Sequence, residues 1–179
     1  MMKHINRKID QIGFTLVELL LVIALIGILA GGLIILINPS EHFARARDAS
    51  RKAAMGQLVT AVNLYSSETK EFPPNYNTGT TLVEGGYLKS IPSLIEHNPK
   101  CADCSESNSI NGYYYYKADE PALNGVVKIF TPLESKASAS KCKPSAPKPF
   151  FFWSSNEEQT CIICEETHPS WGSTCKVGQ

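Results

Sequence analysis

Residues Phe14 to Ile37 form a run of 24 residues, 19 of them apolar, and no other stretch restricts the chain so strongly. As an α-helix the run would extend about 36 Å at about 1.5 Å per residue, enough to cross a hydrocarbon core of about 30 Å. A buried core helix and a secretory signal are the alternatives. A signal h-region is usually about 7–15 residues long, and no small-x-small cleavage site closes this run. A spanning helix that stays in the mature protein is therefore expected.

The flanks set its orientation only weakly. Lys3, Arg7 and Lys8 against Asp10 give the leader a charge of +2. Arg45, Arg47, Arg51 and Lys52 against Glu41 and Asp48 give +2 on the other side. The leader is short and poor in acids, which favours the N-terminus inside. Within the run, Glu18 is the sole charge. An ionised group in a membrane costs about 2–3 kcal/mol even on lenient insertion scales. Either Glu18 snorkels or sits protonated at the interface, or it needs a cation that no Lys or Arg of the run supplies.

Gly13-Phe14-Thr15-Leu16-Val17-Glu18, followed by Leu19-Leu20-Leu21-Val22-Ile23, resembles the class III signal of type IV pilins and type II secretion pseudopilins. The resemblance implies cleavage after Gly13 by a prepilin peptidase, leaving Phe14 as an N-methylated terminus. Glu18 would then be the fifth mature residue, pairing with the terminal amine of a neighbouring subunit. It also implies a homo-oligomeric helical filament, minor pilins or pseudopilins, an inner-membrane assembly platform, and storage in the bilayer before assembly. The zero net charge gives no basic excess for gripping nucleic acid, which is not an expected partner.

The implied fold is α+β and pilin-like: a long N-terminal helix, membrane-spanning in its first half and packed by its second half on a small antiparallel sheet, with a Cys-rich C-terminal region. The expected divisions are a leader at 1–13, a transmembrane or filament-core helix at 14–37 and an amphipathic continuation at 38–72. A globular part with a β-hairpin follows at 73–135, and a Lys/Ser/Pro-rich loop with the Cys-rich region at 136–179. Gly27, Gly31 and Gly32 weaken a helix, and Pro39 removes a donor, so a break is expected among Gly31, Gly32 and Pro39. Asn38-Pro39-Ser40-Glu41 reads as a capping restart. Met55, Leu58, Val62 and Tyr65 then form an apolar stripe, with Arg45, Arg47, Asp48, Arg51 and Lys52 on the polar surface. Those charges either stay solvated, pair between subunits or meet lipid head groups.

Phe72-Pro73-Pro74 should stop the helix. The Tyr65–Pro74 and Leu82–Leu88 stretches resemble the loop after the long helix in major pseudopilins. Tyr113 to Tyr116 reads as a strand with one core and one solvent face, or as a stacking surface for a ligand. Asn124-Gly125 reads as a hairpin turn and Val126 to Thr131 as the partner strand, within two to four strands in all. Lys136 to Lys148 holds four lysines and no acid and reads as a solvated loop, with attraction of DNA or anionic surfaces as the alternative. Phe150 to Trp153 reads as an apolar edge strand.

Six cysteines carry the alternative chemistry: Cys101, Cys104, Cys142, Cys161, Cys164 and Cys175. Two CxxC pairs could hold zinc, but their separation exceeds the usual gap, and an extracytoplasmic location favours disulfides. Three disulfides, a zinc or mixed site, and redox-active thiols all stand open, and no pairing is specified. Asp119, Glu120, Glu157, Glu158, Glu165 and Glu166 could ligate calcium, as acids do in major pseudopilins, or be simply solvated; no EF-hand spacing is present. No catalytic constellation is found, and the four histidines show no metalloprotease spacing. The reading is a non-enzymatic filament subunit of a pilus or secretion pseudopilus, in the inner membrane and then on the cell surface, without an assigned cofactor. The alternative is a single-pass protein presenting a zinc-binding or redox domain.

Overall fold

The structure is a computed structural model that describes residues 13–92, 109–118, 125–170 and 172–175, with backbone alone at 33–37. The leader before Gly13, Cys101, Cys104, Asp119, Glu120 and Asn124 lie outside the described residues. The chain falls into two compact units, residues 1–39 and residues 40–179.

The first unit is helix α1, Leu16–Ile37. Its start is locally encoded. Thr15 is the N-cap in extended conformation, and Glu18 stands three positions on, which is the capping-box spacing. Gly31 and Gly32 do not interrupt the helix, which continues to Ile37. It stops at Asn38, whose φ of 47° and ψ of 72° place it in the left-handed region. Asn tolerates that conformation better than a branched residue, and Pro39 could not extend the ladder. Asn38 is thus the C-cap of α1.

The second unit begins with helix α2, Pro39–Thr69. Ala44, Asp48, Arg51, Met55, Leu58, Ala61 and Val62 are its buried residues, at the three- and four-residue spacings of one helical face. The helix ends three residues short of Phe72. Lys70 takes a left-handed φ of 64° and its N–H donates to the Ser66 carbonyl at 2.9 Å. The Phe72–Asn75 turn is then tied to the sheet. Tyr115 Oη donates to the Pro73 carbonyl at 2.7 Å, Lys117 Nζ to the Phe72 carbonyl at 3.0 Å, and the Asn75 amide brackets the Lys117 backbone. Helix α3, Thr78–Glu84, closes at Gly85, where a Cβ would lie 2.5 Å from the Tyr87 ring.

Five antiparallel strands follow in simple sequential order: β1 Ser109–Ile110, β2 Tyr113–Lys117, β3 Val127–Pro132, β4 Lys148–Ser154 and β5 Gln159–Glu165. The short helix α4, Lys136–Ala139, sits between β3 and β4. Alternation along the strands sends side chains to two faces. Tyr113, Tyr115, Val127, Ile129 and Trp153 pack with Met55, Leu58 and Val62 of α2. Tyr114, Phe130, Phe150, Phe152 and Ile163 form a second core with Cys175. Each large side chain removed from water in this way contributes about 1.5–3 kcal/mol.

Three expectations are corrected here. The sheet has five strands rather than two to four. The tyrosine strand has no solvent face: Tyr113, Tyr114 and Tyr115 are all buried, because the chain's C-terminal segment covers the side away from α2. Phe150 to Trp153 belongs to a central strand, since β5 pairs along its outer edge. The Asn124-Gly125 turn lies partly outside the described residues, and the strands on either side of it, β2 and β3, pair antiparallel. Lys117 pairs with Val127 and the Ala118 N–H donates to the Val126 carbonyl, so the β2–β3 connection spans 118–126.

Candidate functional site

From Phe14 to Leu29 every large apolar side chain of α1 is exposed within this chain, from 45% at Val22 to 82% at Phe14. They lie on all sides of the helix, and a helix apolar all round requires lipid or other protein around it. Single exposed apolar residues are ordinary, but a contiguous surface of this size marks an interaction site. Among the residues described, which in α1 include side chains only as far as Gly32, no helix is long and apolar enough to cross a membrane.

Glu18 has local partners at the head of this helix. Its Oε2 accepts from the Thr15 N–H at 3.3 Å and from Thr15 Oγ1 at 3.1 Å, while the Glu18 N–H donates back to Thr15 Oγ1 at 3.3 Å. Two of the backbone donors that a helix start leaves open are satisfied, and such a cap is worth about 1 kcal/mol. The carboxylate therefore faces the backbone immediately after Phe14. The Thr-x-x-Glu pattern at 15–18 already carries this signal, although the intramembrane charge draws attention first.

A second cluster joins α2 to the start of α4. Asp48 and Arg51 are 2% and 3% exposed and pair at 3.1 Å. Arg51 also reaches Glu134 at 3.3 Å, and Arg47 pairs with the same carboxylate. Asp48 accepts from the Glu134 N–H at 2.9 Å, the Ser135 N–H at 3.1 Å and Ser138 Oγ at 2.9 Å. Burial works to raise the Asp48 carboxyl, but the hydrogen bonds from Ser135 and Glu134 outweigh it and hold the group below its usual range. Glu41 accepts from the Lys136 and Ala137 N–H groups at 3.0 and 3.2 Å and pairs with Arg45 at 2.9 Å. The Lys136 amide, then Arg45, lowers its pKa. These acids stabilise the chain segment that opens α4, as anions do near helix N-termini. The expectation that Asp48 and Arg51 lie on the polar surface is thus corrected. Stepping back four and seven residues from Met55 reaches Arg51 and Asp48, so both fall on the buried stripe.

The four described cysteines form two disulfides in the C-terminal region. Cys142 is bonded to Cys164, with Cα atoms 5.4 Å apart, and Cys161 to Cys175, at 5.8 Å. Cys161 and Cys164 are three residues apart on a strand, so they point to opposite faces and cannot share one partner or one metal. Among the described residues, no three His, Cys, Asp or Glu side chains gather where they could hold a metal ion. Of the acids considered for calcium, Glu157 accepts from the Cys175 N–H and Glu165 from Ser173 Oγ. Lys128, 6% exposed, donates to the Ser173 and Ser170 carbonyls at 2.9 and 3.2 Å over the Phe152 ring. Its desolvation lowers its pKa.

Residues 10–34 match the family model for the prokaryotic N-terminal methylation motif. The chain is also 34% identical over 108 residues to a fimbrial protein of Moraxella nonliquefaciens. That match covers 59% of this chain and 65% of the relative, so the chain spans just under two thirds of that protein's length. No solved structure matches. The chain is thus similar at its N-terminus to proteins that carry this motif, and over 108 residues to a fimbrial protein.

Proposed function

We propose, with those similarities as premise, that this chain is a non-enzymatic structural subunit of a type IV pilin-like surface filament, held together through its N-terminal helix. The observation that carries the reading is α1 itself: apolar on every side, exposed from Phe14 to Leu29, and headed by a capped Glu18. In this account α1 first spans the inner membrane, with the N-terminus inside. Prepilin peptidase removes the leader after Gly13, Phe14 is methylated, and an assembly platform moves the subunit into a helical filament with its own kind and with minor pilins. Subunit contacts then replace lipid around α1. A break among Gly31, Gly32 and Pro39 would let the helix adjust during that transfer, with Asn38 as its pivot.

Glu18 would be the fifth residue of the processed chain, and its carboxylate lies on Thr15, next to the new terminus, so it can meet the Phe14 amine of a neighbour while keeping the Thr15 cap. The outward side of α2 suits close packing of subunits, since Ala46, Ala49, Ser50, Ala53, Gly56 and Thr60 are small and exposed. The fimbrial relative favours a pilus over a secretion pseudopilus.

Mass spectrometry of the mature N-terminus tests the reading: methylated Phe14 is expected, and an intact leader would overturn it. Gly13→Ala should leave unprocessed subunits in the membrane and abolish filaments. Glu18→Ala should be processed yet assemble poorly; filaments at the wild-type level would remove Glu18 from the assembly mechanism.

A further inference from the structure

We propose that the second unit carries a cationic pole, built where the start of α2 meets α4, that docks on the anionic headgroups of the bilayer holding α1. The charge of this unit is unevenly divided. Residues 40–52 and 134–148 hold eight bases and three acids, whereas residues 53–133 and 149–179 hold six bases and twelve acids. The two basic segments are far apart in sequence, and the fold joins them. Glu41 accepts from the Lys136 and Ala137 N–H groups, Asp48 accepts from the Glu134 and Ser135 N–H groups, and Arg51 reaches Glu134.

The three acids of the pole are engaged inside it. Asp48 faces buried Arg51, Glu134 takes Arg47 and Arg51, and Glu41 takes Arg45. Lys136, Lys141, Lys143 and Lys148 are exposed and make no ion pair among the described residues. Arg45 keeps 57% of its side chain exposed despite its pair with Glu41. An excess of five positive charges is left at this end of the unit. In the first turns of the same helix, Phe43 is 64% exposed. A ring and several cations together suit the boundary between headgroups and acyl chains.

The chain itself supplies the partner. Glu41 stands four residues beyond Ile37, the last residue of α1, so its Cα lies within about 14 Å of the end of that helix whatever the joint between them does. The inference rests on the reading of α1 as a membrane helix. While α1 is in a bilayer, the pole stays within about two Debye lengths of the headgroups at physiological salt. Each Lys or Arg held near an anionic membrane surface favours it by about fivefold. The same field repels the acid-rich remainder of the unit, so it turns the pole toward the bilayer. The acidic segments of a second copy are the rival partner. No tether brings them to the pole, and they offer Phe43 no acyl boundary. The contact keeps the unit against anionic lipid until α1 leaves the membrane.

The test uses the full-length subunit in nanodiscs that hold phosphatidylcholine and phosphatidylglycerol in equal amounts. Native mass spectrometry of the ejected subunit reads which lipid stays bound. Retained phosphatidylglycerol should exceed phosphatidylcholine at least about fivefold. Arg45→Gln with Lys136→Gln should bring the ratio below about twofold. Lys70→Gln with Lys89→Gln makes the same charge change at exposed positions of the acid-rich segments and should leave the ratio unchanged. Equal retention of the two lipids by the unaltered subunit, or equal losses in the two double variants, would overturn the pole. So would filaments lost in Arg45→Gln with Lys136→Gln at an unchanged lipid ratio, which would assign the surface to a neighbouring subunit. Flotation with neutral and acidic vesicles separates this proposal from its premise. A subunit that floats with neither overturns the membrane reading of α1, whereas one that floats with both and shows no lipid preference overturns the pole alone. Unchanged circular dichroism and melting temperature in both double variants establish that the comparison is between folded proteins.

Discussion

Asp48 is one of the most consequential side chains in the globular unit because it acts in two directions at once. It neutralises buried Arg51 and accepts two backbone amides and a hydroxyl from the 134–138 segment. Asp48→Ala should destabilise the unit by about 3–5 kcal/mol, since the guanidinium would be left buried with fewer partners. Chemical denaturation checks this. Asp48→Ala with Arg51→Met should recover only part of the loss, because the Glu134 and Ser135 amides still lack their acceptor. At the head of α1, Thr15→Ala removes half of the capping box and should cost about 1 kcal/mol of local helix stability. Amide hydrogen exchange at residues 16–18 in micelles measures it, with faster exchange expected there and no change in α2. Tyr115→Phe loses the hydrogen bond to the Pro73 carbonyl and should cost about 1 kcal/mol in the same denaturation assay.

Among the elements, α4 depends most on ionisation. Both carboxylates that hold its approach, Glu41 and Asp48, titrate below their ordinary values of about 4.3 and 3.9. The unfolded chain takes up these protons more readily than the folded one, so their contribution is present above about pH 4 and disappears as the pH falls through the folded values. The melting temperature should fall between pH 5 and pH 3, and Glu41→Gln should make that fall shallower. The helices were largely legible from sequence, since the run of apolar residues and the Met55–Leu58–Val62 spacing need only a helical period. The buried Asp48 and Arg51 obeyed that same period, but their charge suggested a wet face; tertiary pairing decided otherwise. The sheet was harder to read. Strand β5, Gln159–Glu165, contains a CxxC pattern that suggests metal or redox chemistry, and a period-two reading would have separated its two thiols. The second core behind the tyrosine strand has no local signal at all, because it is made by residues up to Cys175 folding back on the sheet.

For the molecule as a whole, the zero net charge conceals two kinds of surface. Residues 14–179 carry 14 basic and 16 acidic residues, nearly all outside the Phe14–Ile37 run. Among the described residues its covalent ties are equally uneven, since the two disulfides lie within the stretch from Cys142 to Cys175. Opening Cys161–Cys175 by a double Ser substitution should cost about 3 kcal/mol, read as a lower denaturation midpoint. The position of these bonds also bears on solubility. Strand β5 ends the sheet, and its central Cys-Ile-Ile-Cys is a sequence that other strands could pair with. A slip of one residue would turn every side chain of β5 to the other face and carry both sulfurs away from their partners. One bond on each face thus acts as a pair of bolts through a sliding panel: once both are closed, the strand has a single position, and oxidation, not chain synthesis, decides when it is safe from its neighbours.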